Sequence, residues 1–375
     1  MSWISAEAAL GLLGTKPQTL YANVSRGRIA ARPDPQDPRR SLYRAEDVER
    51  LAARQRGRRP AQQVAAETIA WGEPVLPTEI SAIVDGRLML RGEDAIALAE
   101  TATLEDIARH LWQASHRPDL TGSTDLGVPG LRSAYLAMAE LAATQMPTPG
   151  RARAVLIDEA EAALATMATA LAGPGAAPMH ERLAACWGRP EAADPLRRAL
   201  VLLAEHELNA STFAARVTAS TGAPLAAAVL TGLAALSGPL HGTASQSLGP
   251  LHDHARRAGA ESAVIATLGY GQGLPCFGHK LYEDGDSRAA ALLGAMTVPP
   301  LFSELMAEGE RLSGEKPNID FALAALTQAY ELPEDAPLQI FALARSVGWL
   351  AHALEQIETG ALIRPRARYV GPAPS

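Results

Sequence analysis

Ala154-Val-Leu-Ile-Asp-Glu-Ala-Glu-Ala-Ala-Leu-Ala-Thr-Met-Ala-Thr-Ala-Leu171 is the stretch that decides the fold. Its apolar residues return at the helical period with no glycine or proline between them, so it reads as one long helix. Pro195 to Glu205 and Ala289 to Met296 repeat the pattern, and β-branched alternation is nearly absent around them. An alanine methyl adds little radius, so helices of this composition can cross closely in one large core. The expected fold class is therefore mainly α beyond about residue 60. Breaks between helices fall at Pro147 to Gly150, Gly173 to Pro178, Gly188 to Pro190, Gly249-Pro250 and Pro299-Pro300. One exception stands out: Ile80 to Leu90 reads as a small hairpin turning at Asp85-Gly86.

The head of the chain is a different object. Residues 1–60 hold 12 Arg plus Lys against 6 Asp plus Glu, and the remainder 22 against 35, so a basic head precedes an acidic body within a net charge of −7. Ser5 to Leu13 predicts a helix N-capped by Ser5 and closed at Gly14. Lys16 to Ser25 predicts a second, with Pro17 in its first turn and Gly27 at its end. A Pro/Asp-rich loop from Arg32 to Arg40 then leads to Ser41-Leu42-Tyr43-Arg44 and a third helix from near Ala45. This order resembles the winged helix-turn-helix of MerR-type regulators and excisionases, with Tyr43-Arg44 closing the wing. The resemblance implies that Gln18, Thr19, Tyr21 and Asn23 face a major groove while Arg26, Arg28, Arg39 and Arg40 touch phosphates. The opposing reading is a helical head whose solvated arginines pack against its own body or a partner. Arg54 to Gln63 has linker composition, which sets a first domain at 1–58 and a linker at 59–65.

At 375 residues, 47% hydrophobic and 20% charged, the chain has room for two or three folding units. No uninterrupted apolar run of about 18 residues suggests a membrane span. Met1-Ser-Trp-Ile-Ser-Ala-Glu lacks a basic stretch followed by an apolar one, so the expected location is the cytoplasm. The two cysteines, Cys186 and Cys276, have no paired spacing, and a disulfide framework or zinc cage is not encoded. In His252-Asp253-His254 the i, i+2 spacing turns the rings apart on a helix, which argues against a metal site. Gly269-Tyr-Gly-Gln-Gly273 lacks dinucleotide-fold spacing and reads as a loop. His110, His116, His180 and His352 read as structural or exposed.

Chemistry concentrates elsewhere. His241 and His279 each sit in a glycine-flanked turn, Gly238-Pro-Leu-His241-Gly242 and Phe277-Gly-His279-Lys-Leu-Tyr282, and Asp320 sits in Pro317-Asn-Ile-Asp320-Phe. Two imidazoles and a carboxylate from three segments are what enolate chemistry needs: a base for a carbon-bound proton, a donor for the enol oxygen, and a donor for an acceptor carbonyl. Asp320 has a plain competitor role, capping the helix that begins at Phe321. Glu205-His-Glu-Leu-Asn209-Ala-Ser-Thr-Phe, Asp286-Ser-Arg288, Phe341-Ala-Leu-Ala-Arg345 and Ile363-Arg364-Pro-Arg366 add further polar groups in apolar or glycine-rich contexts. Arg345 in an apolar run would be costly without a partner, and a bound carboxylate would resolve that cost.

In the order and spacing of these motifs, from about Ala66 to the C-terminus, the chain resembles the citrate synthase family. The resemblance implies a helical body with a large domain at 66–243 and 332–375 and a small domain at 244–331 that hinges over substrates. It implies condensation of acetyl-CoA, or propionyl-CoA, with oxaloacetate, and no metal or prosthetic group. Asp320 would be the base, His241 the donor to the thioester oxygen, and His279 the residue that polarises the ketone. His206, Asn209, Arg288 and Arg345 would bind oxaloacetate, with Arg364 crossing a homodimer interface to the partner's site. Departures stand at Thr243-Ala-Ser245 for Gly-Ala-Asn, Ser287 for Pro, and Ala322-Leu323 for Tyr-Ser. The stretch between Trp112 and His206 is also short and lacks the family's His-Pro-Met segment. A rival from another class is a ligand-responsive DNA-binding regulator with a synthase-like sensor body; a whole triad argues against pure sensing, since a sensor needs no base.

Overall fold

The computed structural model describes residues 3–13, 19–20, 23–24, 29–34, 37, 41–48, 76–122, 126–367, 369 and 371. The chain divides into two compact units, residues 1–77 with 365–375, and residues 78–364.

In the first unit, β1 (Trp3–Ser5), β2 (Ala31–Pro33) and β3 (Ser41–Arg44) form an antiparallel sheet in the order β1-β3-β2. Tyr43 pairs with both Ile4 and Ala31, which makes Ser41-Leu-Tyr-Arg44 the central strand. Helix α1 (Ala6–Leu13) starts where Ser5 predicted it, with Ser5 Oγ accepting from the Ala8 amide at 3.2 Å. Ala9, Leu20, Ile29, Tyr43 and Val48 make the small core. Of the predicted second helix, Thr19-Leu20 and Asn23-Val24 are described and helical, and residues 45–48 open the third. Asn23 is 7% exposed, and its Nδ2 donates to the Thr19 carbonyl at 2.9 Å. The Asn23 amide thus faces its own helix, whereas Thr19 is exposed. Gly14, Pro17, Gln18, Tyr21, Arg26, Gly27, Arg28, Arg39, Arg40 and the linker at 59–65 lie outside the described residues.

The second unit opens with the expected hairpin. Strands β4 (Ser81–Val84) and β5 (Arg87–Leu90) pair with Val84 opposite Arg87, and β6 (Glu93–Asp94) adds to β5. Asp85 at φ 49° and Gly86 at φ 70° are both left-handed, the geometry of a two-residue hairpin turn whose twist matches the strands.

Helices account for the rest: α2 (Ala95–Ala99), α3 (Leu104–Trp112), α4 (Leu131–Thr144), α5 (Arg153–Ala172), α6 (Met179–Cys186), α7 (Ala193–Leu203) and α8 (Ala210–Ser220). They continue with α9 (Leu225–Leu236), α10 (Gly249–Ala258), α11 (Ala260–Gly269), α12 (Ser287–Gly294), α13 (Pro300–Ser313), α14 (Ile319–Ala329) and α15 (Ala336–Thr359). The deciding stretch is α5, one residue longer at each end than its pattern. The other two patterned stretches, α7 and α12, begin and end two residues earlier than their apolar periods. Pro195 fits inside the first turn of α7 because the amide it lacks has no intrahelical partner there. Asp286 caps α12 one residue ahead of Ser287, its carboxylate accepting from the Arg288 amide.

Helix α15 is buried along almost its whole length, with α3, α5, α7, α8 and α9 packed around it. Two glycines make that packing possible. A Cβ on Gly232 of α9 would stand 2.5 Å from the Trp349 ring, and one on Gly348 would stand 2.2 Å from Glu205 Oε2 and 2.5 Å from the Ala204 carbonyl oxygen. Beyond this bundle, α10, α11 and α13 pack on one another, and α14 packs on α12. Among the described residues no helix is long and apolar enough to cross a membrane.

Candidate active site

The segment after α7 carries His206 and is pinned to the hairpin. Ser81 Oγ donates to Glu205 Oε1 at 3.1 Å, the Ile83 amide to Glu207 Oε1 at 3.0 Å, and the Glu207 amide to Ser81 Oγ at 3.2 Å. His206 is buried with Nε2 2.9 Å from the Tyr282 hydroxyl, and its ring meets His279 edge-on at 5.3 Å. Burial first, then Arg288 and Arg345, hold its pKa well below the ordinary histidine value, so it is a neutral hydrogen-bonding group. Asn209 Oδ1 accepts from the Thr212 amide and lies 2.8 Å from Ser211 Oγ, while its Nδ2 donates to the His206 carbonyl and Thr212 Oγ1. Both Nδ2 hydrogens are engaged by the His206 carbonyl and Thr212 Oγ1 while Oδ1 caps α8, so in this structure Asn209 shapes the His206 turn.

His241 sits in a turn where Gly242 is required: a Cβ there would be 2.6 Å from the Leu236 side chain and carbonyl. Its Nε2 lies 2.9 Å from Ser211 Oγ, which also accepts from Trp349 Nε1 at 3.1 Å. Burial, then Arg345, brings the His241 pKa down to about 4. The ring is neutral, with Nδ1 left over for a ligand. The single hydroxyl hydrogen of Ser211 has two acceptors within reach, His241 Nε2 and Asn209 Oδ1.

His279 follows Gly278, whose φ of 71° and amide bond to the Lys316 carbonyl set the turn. The Leu281 amide donates to His279 Nδ1 at 3.1 Å. In a neutral ring that leaves Nε2 carrying the hydrogen, and burial followed by Arg288 lowers the pKa, favouring the neutral form. Tyr282 is 2% exposed, its ring 4.8 Å from His279 and 5.1 Å beneath the Arg288 guanidinium, and burial pushes its hydroxyl up to about 12. Arg288 pairs with Asp286 through two contacts, Nε to Oδ1 at 2.9 Å and Nη2 to Oδ2 at 2.8 Å.

Asp320 does not cap its helix. Asn318 does, accepting the Asp320 amide at 3.1 Å while its Nδ2 donates to the Gly278 carbonyl. The Asp320 carboxyl is left with a buried Oδ1 that has no hydrogen-bond partner, in a residue that keeps some exposure. Burial pushes its pKa up to about 7 against the pull of Arg288 and Arg345 and of a hydrogen bond from the Ser245 amide. Arg345 is 1% exposed, donates Nε to the Leu203 carbonyl at 2.8 Å and lies 4.8 Å over the Phe341 ring. Burial lowers its pKa to about 10. Among the described residues Arg345 makes no direct carboxylate pair of the kind Arg288 makes with Asp286. Phe341 also touches His241, ring to ring at 6.1 Å.

His206, His241, His279, Arg288, Asp320 and Arg345 therefore act on one another electrostatically within one site. Arg364 is not gathered with them; it is exposed just beyond α15, where the Ile363 amide donates to Ser220 Oγ. His252 packs on Phe302 at 5.4 Å, and among the described residues no group of three His, Cys, Asp or Glu side chains could hold a metal. His352 is wholly buried between Glu205 and Arg216. A separate cavity of about 330 Å³, walled by Thr148, Arg151, Arg153, Ser220 and Glu358, shares no residue with the site, and its arginines are already ion-paired to Glu159 and Glu358. Ser211, Tyr282 and Asp286 join the site without having been singled out by the sequence. Their only signal was position, inside strings whose neighbours carried the chemistry.

Residues 128–366 match the family described as citrate synthase, C-terminal domain. The chain belongs to the citrate synthase family. It is 41% identical over 187 residues to putative citrate synthase 2 of Mycobacterium tuberculosis (strain ATCC 25618 / H37Rv), covering 46% of this chain and 50% of that one. To citrate synthase 2 of Bacillus subtilis (strain 168) it is 37% identical over 194 residues, 49% and 52% of the two chains. To 2-methylcitrate synthase 1 of Corynebacterium glutamicum it is 35% identical over 193 residues, 48% and 51%. The chain spans about half the length of the curated relatives it matches. Among solved structures, citrate synthase from Thermotoga maritima MSB8 superposes with a TM-score of 0.63 at 26% identity over 81% of this chain and 95% of that one. Citrate synthase from Thermoplasma acidophilum, solved as a ternary complex with carboxymethyl coenzyme A and oxaloacetate, shares the fold at a TM-score of 0.65 and 24% identity, over 81% and 95%. In this citrate synthase family member, Asp320, His241, His279, Arg288, Arg345 and His206 are the residues the motifs pointed to, and one site contains them.

Proposed function

We propose that the chain is an acyltransferase of citrate synthase type, condensing acetyl-CoA with oxaloacetate to release citrate and CoA. The observation that carries the reading is Asp320: a buried carboxyl with one unpartnered oxygen and a pKa near 7, between two cationic clamps. It removes a methyl proton from the thioester. The thioester oxygen, becoming an enol, takes a hydrogen bond from His241 Nδ1, the nitrogen not used by Ser211. The enol carbon attacks the ketone of oxaloacetate, whose oxygen is polarised by the Nε2 hydrogen of His279. Arg345 and Arg288 hold the two carboxylates with His206 beside them. Water then hydrolyses the thioester adduct. Relatives named citrate synthase and 2-methylcitrate synthase support the reaction class, and the second name favours propionyl-CoA as the alternative acyl donor.

The test is release of free thiol from a panel of short acyl-CoA thioesters with oxaloacetate. Turnover is expected with acetyl-CoA above propionyl-CoA and none without oxaloacetate. A panel with no turnover at all rejects the reading.

The body is proposed to work as a homodimer, with a large domain at 66–243 and 332–375, and a small domain at 244–331 closing over substrates. The exposed Arg364 supports a role across the subunit boundary. Residues 1–58 are proposed as a DNA-binding winged helix-turn-helix; the basic charge and the strand Ser41–Arg44 at the sheet's centre support it, with Thr19 still among the groove-facing candidates. DNA retention by the full chain is expected to fall steeply with salt and to vanish on removal of residues 1–58, while thiol release persists. No retention at low salt would leave the head a packing or assembly element.

A further inference from the structure

Asp286 has no exposed side-chain surface and makes four hydrogen bonds. Its Oδ1 accepts from the Arg288 amide at 3.1 Å and Arg288 Nε at 2.9 Å; its Oδ2 accepts from Arg288 Nη2 at 2.8 Å and the Ile319 amide at 3.1 Å. Ile319 is the first residue of α14 and the neighbour of Asp320. One carboxylate thus joins the arginine beside the acceptor site to the backbone that carries the base. Asn318 secures the adjoining amide from the other side, through its bond to Asp320 N.

We propose that Asp286 is the positioning residue of this site: it holds the Arg288 guanidinium and the first turn of the Asp320 helix in one frame, and screens the base from the guanidinium's charge. The proposal rests on reading Asp320 as the base and Arg288 as a carboxylate clamp. Geometry alone requires the first half. A guanidinium held along its Nε–Nη2 edge by a carboxylate is kept from swinging toward Asp320 to form a direct ion pair, which would bury the lone pair that accepts the substrate proton. Electrostatics requires the second. Arg288 and Arg345 draw Asp320 toward ordinary acidity, and Asp286 opposes them. The remaining groups facing the base are the Cys276 thiol, itself driven up to about 12 by burial, and the Ser245 amide; Asp286 also faces His279.

Two variants separate charge coupling from mere support, because they should move the base in opposite directions. Asp286→Asn keeps a side chain able to cap α12 but removes the charge, so Asp320 becomes more acidic. Arg288→Met leaves Asp286 uncompensated, so Asp320 becomes less acidic. The full chain labelled with ¹³C at aspartate carboxyls is titrated by NMR, the Asp320 signal being assigned as the one lost in Asp320→Asn. The midpoint is expected to fall by about one pH unit or more in Asp286→Asn and to rise by about as much in Arg288→Met. Unchanged midpoints overturn the proposal. Should Asp286→Asn fail to fold, Asp286→Ser, which also removes the charge and can still cap α12, is titrated in its place, and an unmoved midpoint there overturns it. Titration needs no turnover: coupled midpoints in a chain that releases no thiol would keep Asp286 in its role and sink the condensation reading instead.

Discussion

Asp320→Ala is expected to lower kcat about 10⁴-fold, the upper end of what a positioned base contributes. A thioester α-proton is a very weak acid, and the carboxylate that takes it must be free of stronger hydrogen-bond donors on the accepting oxygen. Asp320 meets that condition because Asn318, not Asp320, caps the helix, and because Oδ1 is buried without a partner. Its pKa of about 7 gives the reaction its pH dependence. Below that value the carboxyl is protonated and cannot accept, so kcat rises with pH through about 7 and levels off above it. His206 and His241 contribute no limb there, being held well below the ordinary histidine value, and His279 is shifted in the same direction. Stability runs the other way. An acid with a raised folded pKa is bound to its proton more tightly in the native state, so its burial costs nothing below about pH 4 and most above pH 7. At about 1.4 kcal/mol per unit, a few kcal/mol are at stake. Asp320→Asn should therefore melt higher than the parent at pH 8 and not at pH 4, and the same chain should lose thiol release. Equal melting at both values, or retained turnover, would overturn the assignment.

What was legible in the sequence, and what was not, divides along physical lines. Helical period is a local property, and α5 lies within one residue of the stretch that announced it. Asp85-Gly86 is also local, since two left-handed residues in a row leave few other turns. The imidazoles and Asp320 were visible because their neighbours, glycine turns on one side and an apolar helix on the other, are unusual company for a polar group. Partner choice was not visible. Asn209 and Arg345 both stand in apolar surroundings, yet the first spends its amide on a helix cap and the second, without a carboxylate partner among the described residues, donates to the Leu203 carbonyl in the core. Asn23 likewise turned inward, onto Thr19. Ser211 is one of several small hydroxyl residues in its string, and only the approach of α15 with Trp349 gives it a function. The Arg345–Leu203 and Ser211–Trp349 contacts join residues more than a hundred positions apart, which no spacing rule can reach.

His241→Ala is expected to lower kcat by about 10²–10³, the loss seen when one donor to a developing oxyanion is removed from a dry site. The donor must be a neutral imidazole, because an imidazolium beside Arg345 would add a second buried cation, and the pKa of about 4 excludes it at working pH. Neutrality alone is not enough: the hydrogen has to sit on Nδ1. Ser211 decides that. When its hydroxyl donates to His241 Nε2, that nitrogen is an acceptor and Nδ1 carries the hydrogen toward the substrate; when it donates to Asn209, the tautomer reverses. Ser211→Ala removes the arbiter and should cost kcat about tenfold, with the pH limb near 7 unmoved, because Asp320 still sets it. The same change leaves the Trp349 indole N–H without its acceptor in the core, a loss of about 1–3 kcal/mol readable as a lower melting temperature. A pH limb that shifts in Ser211→Ala, or a His241→Ala chain with unimpaired turnover, would remove His241 from the thioester oxygen and reopen which group stabilises the enol.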